Sequence, residues 1–536
     1  MEAPGLGGLN WAVIIVYLLA TLGIGVWFTR RAGSSTGAFF TANGRIPAWA
    51  AGFSIYATTL SAITFMSTPE QAFLEDWSYA AGNVAIFAIV PVLVLFYIPF
   101  FRKLNVTTAY EYLEERFGPS VRVLGSVLFV LFHIGRVAIV IYLPTLAISS
   151  VTDVSPAVVA TAVGVLSVIY TFLGGIEGVV WSDVVQGIIL LAGAVLILAF
   201  GISALDGGLS TVAADAAEDG KFLTAENWQF GGAAAAIPII FLGSVFNNLH
   251  QYTASQDVVQ RYQTTDSPRS TARSLIINGF LALLTIPLFY GIGTVLFSFY
   301  QHADQLPADF NTSALVPYFI VTVLPAGVAG LLIAAIFAAA QSTISSSLNS
   351  ISACITVDLR DRFFPSREGG VRSGVGFSRL VIVLVGAVSV SVALYLSVTD
   401  QAQTWNLFLS VTGLFGVPMA GVFALGIFTR RANTAGVLGG LGLGACIAWS
   451  VQQATSLSPF AVSMAAFAGA VILGYLVSLV AAGRRGAEPH DVLPLTIYGR
   501  RTEYIRRRTS WALQASRTEP AAPEENPDLT QGARHE

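Results

Sequence analysis

The chain contains, inside one long apolar segment, the stretch Ser54-Ile55-Tyr56-Ala57-Thr58-Thr59-Leu60-Ser61-Ala62-Ile63-Thr64-Phe65-Met66-Ser67. This stretch carries six hydroxyl groups from Ser and Thr. Polar groups in the hydrocarbon of a membrane must find internal partners, so a helix that only crosses lipid has no use for them. We therefore expect the centre of this helix to be unwound and to hold both an ion and a solute.

Composition places the chain in a membrane. Of its 536 residues 54% are hydrophobic and 11% are charged, whereas soluble domains have about 25% charged residues. Apolar runs of about 20 residues recur along the whole length, and each can cross a bilayer as a helix. The runs lack the alternation of barrel strands, so we predict an all-α polytopic membrane protein. Cys354 and Cys446 both lie in apolar runs, and we expect two buried free thiols.

The apolar runs predict about thirteen transmembrane helices. Their approximate ranges are 10–29, 47–68, 79–101, 120–151, 155–173, 178–204, 233–257, 271–300, 326–357, 376–398, 403–428, 433–452 and 459–482. The chain then divides into an N-terminal extra helix and loop (1–46), a transport core (47–428), two C-terminal helices (429–482) and a polar cytoplasmic tail (483–536).

Lys and Arg residues indicate the orientation, because they collect on the cytoplasmic side of membrane proteins. With the N-terminus outside, all but two of the 28 Lys and Arg, including Arg261, fall in cytoplasmic segments. The exceptions are Lys221, in an outside loop, and Arg136, within the fourth span. The first apolar run does not resemble a cleaved signal peptide.

Two predicted spans are interrupted by polar residues. The second holds the stretch quoted above, and the seventh holds Phe241-Leu242-Gly243-Ser244-Val245-Phe246-Asn247-Asn248-Leu249-His250-Gln251. The two lie five spans apart and therefore cross the membrane in opposite directions. This is typical of an inverted repeat of five plus five helices, here 47–204 and 233–428, whose broken members line a midplane site.

The ninth span places Ala339, Ser342, Thr343 and Ser346 on one helical face. Small residues let another helix approach closely, so this face can be a packing seam. Its hydroxyls are also the oxygen ligands that a hard cation prefers. The second oxygen-rich segment, Ala57–Thr64, favours an ion site.

These motifs resemble the sodium/solute symporter family, which includes bacterial galactose, proline and sialic acid transporters. The resemblance covers about residues 10–482 and includes Gln256–Arg261 (QDVVQR), after the second broken span. It implies a LeuT-like core with broken first and sixth core helices, a bacterial inner-membrane location, sodium as the coupling ion and no organic cofactor. It assigns the first sodium site to the carbonyls of Ala57, Leu60 and Ala339 and the hydroxyls of Ser342 and Thr343.

Asp183 lies near the cytoplasmic end of the predicted sixth span. Carboxylates inside a membrane usually serve function, although an acid can also simply cap a helix start. The resemblance to the sialic acid transporters implies a second sodium site, formed by Asp183, Ser342, Ser345 and Ser346. Two sodium ions per transport cycle are then expected.

Arg136 lies near the middle of the fourth span. A cation at a helix centre costs roughly 2.5–3.5 kcal/mol on insertion scales, so it needs a partner. Helix carbonyls or a structural acid could serve, but the sequence shows no apparent acid in another span except Asp183. We expect the partner to be a solute carboxylate, which a guanidinium binds bidentately. The resemblance to sialic acid transporters, which is close around Gly135-Arg136, implies the same role.

Other polar residues near the broken spans are candidate solute contacts. Each could instead belong to an ordinary helix–helix seam, where polar residues are common. The candidates are Thr59, Ser61 and Thr64 beside the sodium carbonyls, Tyr79 and Asn83 at the start of the third span, and Asn248 and Gln251 on the second broken span.

The sequence therefore favours a sodium-coupled secondary symporter that imports an anionic sugar acid, above all sialic acid (N-acetylneuraminate), by alternating access. The alternatives are a symporter of the same family for a neutral sugar, an amino acid or a small monocarboxylate, a transporter-like membrane sensor, and a channel. We find no catalytic motif and expect no enzyme activity. The expected partners are a small anionic solute and the lipid bilayer, without nucleic acid, and we expect a functional monomer.

Overall fold

The computed structural model describes residues 6–104, 106–152, 154–229, 236–307, 310–364, 371–398, 416–454, 458–483 and 495–498. Within these ranges every regular element is a helix, as the sequence predicts. Nine of the described helices are long and apolar enough to cross a membrane.

The helices are named here in chain order. They are α1 (Gly8–Ala32), α2 (Thr36–Thr41), α3 (Ala48–Thr59), α4 (Ala62–Leu74), α5 (Ala80–Val92), α6 (Ile98–Leu104), α7 (Ala109–Phe117), α8 (Pro119–Ser149), α9 (Pro156–Ser203), α10 (Leu209–Glu218), α11 (Ile237–Thr253), α12 (Gln256–Tyr262), α13 (Pro268–Thr285), α14 (Gly291–His302), α15 (Leu315–Val323), α16 (Val328–Ala353), α17 (Asp361–Phe363), α18 (Val371–Val398), α19 (Val417–Phe428), α20 (Thr434–Ala454) and α21 (Pro459–Gly483). Turns of π-helix at Leu93–Tyr97, Ile286–Tyr290 and Cys354–Arg360 continue α5, α13 and α16 into the helices that follow.

Helix α9 bends at Gly175, where the sequence predicts the boundary between two spans. Its 48 residues would extend about 70 Å if straight, more than twice the hydrocarbon thickness of a bilayer. Gly175 has φ 53° and ψ −159°, a conformation that residues with a Cβ rarely adopt. The bend therefore divides α9 into two halves, each long enough to cross the membrane.

The polar stretch at Ser54–Ser67 is a broken helix, as predicted. Helix α3 ends at Thr59, and Leu60 has the extended angles φ −86° and ψ 103°. Ser61 then caps α4, and its hydroxyl accepts a hydrogen bond from the Thr64 amide at 3.5 Å. The break leaves the last carbonyls of α3 without helical partners, so other groups must satisfy them.

The second broken helix is interrupted later than the sequence predicts. Helix α11 runs intact through Gly243 and Asn248, and the break falls at Ala254 and Ser255, before α12. Gly243 serves helix packing instead: a Cβ added there would lie 2.5 Å from the Phe460 backbone oxygen in α21. Glycine in a membrane helix allows this close approach at little cost in helix stability, which explains why it does not break α11.

The C-terminal predictions are tested only in part. The predicted span 403–428 overlaps 399–415, which lies outside the described residues, and α19 covers its end. The polar tail is expected to be solvated, and of its described residues Ile497 and Tyr498 are exposed while Leu495 and Thr496 are buried. Leu495 is 2% exposed, and the Ile497 amide donates to the Ile427 carbonyl at 3.1 Å. The thiol prediction holds for Cys354, which is buried, but Cys446 is exposed.

Helix α16 is the centre of the described helices. In its most apolar window 89% of the residues are buried, compared with 28% in α1 and in α21. Helix α16 packs against α1, α8, α9 and α3. The small and hydroxyl residues of α16 therefore face protein on nearly all sides, at the level of the break between α3 and α4.

Candidate ion and solute site

The last carbonyls of α3 are bound by hydroxyls of α16. Ser342 Oγ donates to the Ala57 carbonyl at 2.9 Å and to the Ala339 carbonyl at 3.1 Å. Thr343 Oγ1 donates to the Thr58 carbonyl at 3.3 Å. Both hydroxyl residues are at most 1% exposed. Four of the residues predicted for the first sodium site thus meet, and the fifth, Leu60, is the first residue beyond α3.

Arg136 has a buried acid partner that the sequence interpretation missed. Its Nη1 atom lies 3.1 Å from Asp257 Oδ2 and 3.4 Å from Gln251 Oε1. Its Nη2 atom donates to the Thr58 carbonyl at 3.3 Å. The expectation that no second acid lies near Arg136 was wrong, because Asp257 was placed at the edge of its span and not in the core. It is in fact 0% exposed.

Thr58 connects the guanidinium to the candidate sodium ligands. Its carbonyl accepts from both Arg136 and Thr343. Its hydroxyl bonds Ser346 Oγ at 3.0 Å and donates to Asp183 Oδ2 at 3.4 Å. Movement of α3 at its broken end therefore changes contacts at the arginine and at both candidate ion sites together.

Asp183 is paired with Arg261. Asp183 Oδ2 lies 2.8 Å from Arg261 Nη2 and accepts from Ser54 Oγ at 2.5 Å, and both ionic side chains are 0% exposed. Arg261 also donates to the Ser346 hydroxyl. The orientation argument placed Arg261 in a segment between spans, but the structure buries its side chain completely. It lies on α12, which folds back against α3 and α16 after the second break.

Comparison with known proteins identifies the family. A family model described as "Sodium:solute symporter family" matches residues 39–444, well over half of the chain. The chain belongs to the sodium:solute symporter family. It is 44% identical over 500 residues to the sodium/sialic acid symporter NanT of Aliivibrio fischeri, covering 92% of this chain and 98% of the relative.

Two further relatives agree. The chain is 46% identical over 442 residues to the sodium/sialic acid symporter SiaT of Proteus mirabilis, covering 82% of this chain and 89% of the relative. A solved structure of a Na⁺-coupled sialic acid symporter, in a substrate-bound outward-open state, matches with a TM-score of 0.84 at 42% identity. This match covers 88% of this chain and 98% of that one.

Among the other candidate solute residues of this symporter, Gln251 contacts the Arg136–Asp257 pair, whereas Thr59, Thr64 and Asn248 have no described contact with that pair. Gln251 joins Arg136 and Asp257, since its amide nitrogen lies 3.2 Å from both Asp257 oxygens. Thr59 donates to the carbonyls of its own helix. Thr64 lies half-buried at the start of α4 beside its cap Ser61, and Asn248 lies half-buried on α11.

Tyr79 and Asn83 have neighbours on other helices. The Tyr79 ring packs against Phe460 of α21 with centroids 5.6 Å apart. Asn83 Nδ2 donates to the Ala282 carbonyl of α13 at 3.2 Å. In this conformation Tyr79 and Asn83 pack the start of α5 against α21 and α13. None of their described contacts joins them to Arg136.

The sequence pointed to some of the residues that it left unassigned. Ser54 and Thr58 lie in the polar stretch that opened the argument, and Asp257 and Arg261 lie in the motif Gln256–Arg261. The acid and the base in that motif are four residues apart. Both proved to be buried, each paired with a residue distant in sequence. An acid and a base four residues apart beside a broken helix can therefore indicate buried charges that pair with distant residues.

Proposed function

We propose that this protein is a sodium-coupled secondary symporter that imports an anionic sugar acid, sialic acid (N-acetylneuraminate) in particular, by alternating access. The sodium/sialic acid symporters NanT and SiaT, which match over most of both chains, support this substrate class. The observation that carries the proposal is the buried guanidinium of Arg136 at the broken end of α3. It shares the Thr58 carbonyl with Thr343, so a bound carboxylate is linked to the ion ligands by two hydrogen bonds.

Arg136 can still bind a carboxylate despite its partner. Its three described bonds use three of the five N–H donors of a guanidinium. A solute carboxylate can take the remaining donors or replace Asp257. Thr59, Ser61, Thr64, Asn248 and Gln251 would bind the rest of the solute, with Tyr79 and Asn83 closing over it.

Two sodium ions would accompany each solute. The first is held by Ala57, Leu60, Ala339, Ser342 and Thr343, and the second by Asp183 with Ser342, Ser345 and Ser346. The oxygen ligands suit a hard monovalent cation. Outside sodium would stabilise the broken end of α3 and complete the solute site, after which solute binding closes the outer side and the inner side opens to cytoplasm low in sodium.

The proposed architecture is a core of five plus five inverted helices within about thirteen spans. The boundaries are those predicted: 1–46, 47–428 with repeats 47–204 and 233–428, 429–482 and 483–536. The N-terminus would lie outside and the C-terminus inside the bacterial inner membrane, with the monomer as the working unit. The two broken helices and the bend in α9 support this arrangement.

Uptake into proteoliposomes tests the function. We expect labelled sialic acid to accumulate under an inward sodium gradient and not under a potassium gradient. A panel of competitors separates the alternatives: sugar acids should compete, whereas galactose, proline and small monocarboxylates should not. Flux that needs no sodium would contradict the proposal and favour a channel.

The first sodium site yields a separate prediction. Ser342→Ala and Thr343→Ala each remove a hydroxyl that contacts the α3 carbonyls, and we expect the half-saturating sodium concentration of uptake to rise roughly 10- to 100-fold. The solute KM should recover at high sodium. Thr322→Ala is a matched control, since the described partners of its hydroxyl are the Tyr318 carbonyl of its own helix and the Tyr300 hydroxyl of α14. An unchanged sodium curve in both site variants would remove this assignment.

A further inference from the structure

The two oxygens of Asp183 have different environments. Oδ2 accepts from Ser54, Thr58 and Arg261. Oδ1 is buried and finds no hydrogen-bond partner among the described residues. Buried polar atoms in native proteins are nearly always paired, so Oδ1 indicates a ligand of its own, separate from the donors that bind Oδ2.

Gln186 lies on that helix one turn beyond Asp183. It is 1% exposed, yet neither its amide oxygen nor its amide nitrogen is paired within the described part of the chain. Residues three apart on a helix share a face, so the amide and Asp183 are neighbours. Three buried polar atoms of these two side chains, Asp183 Oδ1 and Gln186 Oε1 and Nε2, therefore have no hydrogen-bond partner among the described residues.

The surrounding hydroxyls place Gln186 beside a predicted sodium ligand. The Tyr170 hydroxyl lies near both Gln186 of α9 and Ser345 of α16. It donates to the Gln341 carbonyl at 2.8 Å, and Tyr17 of α1 donates to Gln341 Oε1 at 2.6 Å. Each of these Gln341 oxygens thus accepts one hydrogen bond. The Tyr17 and Tyr170 hydroxyls also lie beside the Gln186 side chain, but the Gln186 amide oxygen accepts no hydrogen bond of good geometry from the described residues.

The charges favour a monovalent ion at this position. Arg261 already compensates the charge of Asp183, so an added cation must be stabilised by neutral oxygens. Amide and hydroxyl oxygens are such ligands for hard cations. The amide torsion of glutamine is broad, so Gln186 can turn its oxygen toward the ion at low cost.

We propose that Gln186 is a ligand of the second sodium ion, through its amide oxygen, together with Asp183 Oδ1 and Ser345 Oγ, while Arg261 keeps Asp183 Oδ2. The hydroxyl of Ser346, another predicted ligand of this ion, also contacts Arg261 and Thr58, so it joins the ion site to the Asp183–Arg261 pair. This inference rests on the proposed sodium coupling.

Two substitutions of opposite character test it. Gln186→Leu keeps the volume but removes the oxygen, and we expect the half-saturating sodium concentration to rise roughly 10- to 100-fold. The Hill coefficient for sodium should fall from about two to about one. Gln186→Glu adds a charge that only a bound cation relieves, so it should lower the half-saturating sodium concentration. A purely structural role would make both variants worse and leave both Hill coefficients unchanged.

Gln263→Leu is the matched control. Gln263 is a buried glutamine that bonds Arg102 and the Phe101 carbonyl, both of α6, and no described hydrogen bond joins it to Asp183. Its loss should therefore reduce stability and leave the sodium dependence of uptake unchanged. Sodium-dependent thermal stabilisation of the purified protein provides a second readout that needs no transport. Wild-type uptake without sodium dependence would overturn the proposed function. A wild-type Hill coefficient of about two with Gln186→Leu unchanged would overturn only the role of Gln186.

Discussion

Arg136→Ala is expected to abolish sodium-driven uptake of carboxylated solutes. Removing one partner of a buried charge pair costs about 2–5 kcal/mol, which corresponds to roughly 30- to 5,000-fold in affinity. Uptake of labelled sialic acid in proteoliposomes should fall by at least about 30-fold. Binding of a neutral analogue, in which the carboxylate is an amide, should change much less than binding of the acid.

The pairing of Arg136 with Asp257 calls for a control, because the single variant leaves a buried carboxylate uncompensated. The double variant Arg136→Ala/Asp257→Ala removes both charges, and we expect it to recover much of the lost thermal stability. If Arg136 binds the solute, transport stays absent in the double variant. If its only role is to neutralise Asp257, transport returns together with stability, and the solute-binding role of Arg136 is excluded.

Asp183→Asn is expected to change the stoichiometry of transport. Loss of the carboxylate charge removes the strongest ligand of the second sodium site, while the first site, built from carbonyls and hydroxyls, remains. The sodium-to-solute flux ratio should fall from about two to about one, and a monoanion would then move without net charge. Uptake by wild type should respond to membrane potential, because moving one elementary charge across 100 mV changes the free energy by about 2.3 kcal/mol. Uptake by the variant should not respond.

The partner of Asp183 provides the control for this prediction. Asp183→Asn leaves Arg261 buried beside a neutral amide, which destabilises the protein. Asp183→Asn/Arg261→Gln removes both charges and should recover stability while the flux ratio stays at about one. A ratio of about two in the double variant would show that Asp183 serves only to pair Arg261.

The positions of the two helix breaks show how much of the fold can be predicted from local sequence. Ser61 caps α4 and the hydroxyl-rich stretch around it cannot form an ordinary lipid-facing helix, so the first break follows from the sequence. Gly243 and Asn247 look equally disruptive, yet α11 stays helical there. Phe460 packs on Gly243 and Ser463 donates to Asn247 Oδ1 at 3.3 Å. Contacts with a helix more than 200 residues away in sequence decided that outcome.

The match of Ser342 and Thr343 to the α3 carbonyls followed from the resemblance to the sodium/solute symporter family. By itself the sequence determined the all-α fold class, the membrane location and the first break. Each depends on local composition or on helical periodicity, which a single segment displays. Only the tertiary structure decided the ionic pairs: Asp257 with Arg136, and Arg261 with Asp183. A loop assignment based on chain position treats Arg261 as solvated, but α12 folds back into the core, where a charge is stable only beside an opposite one.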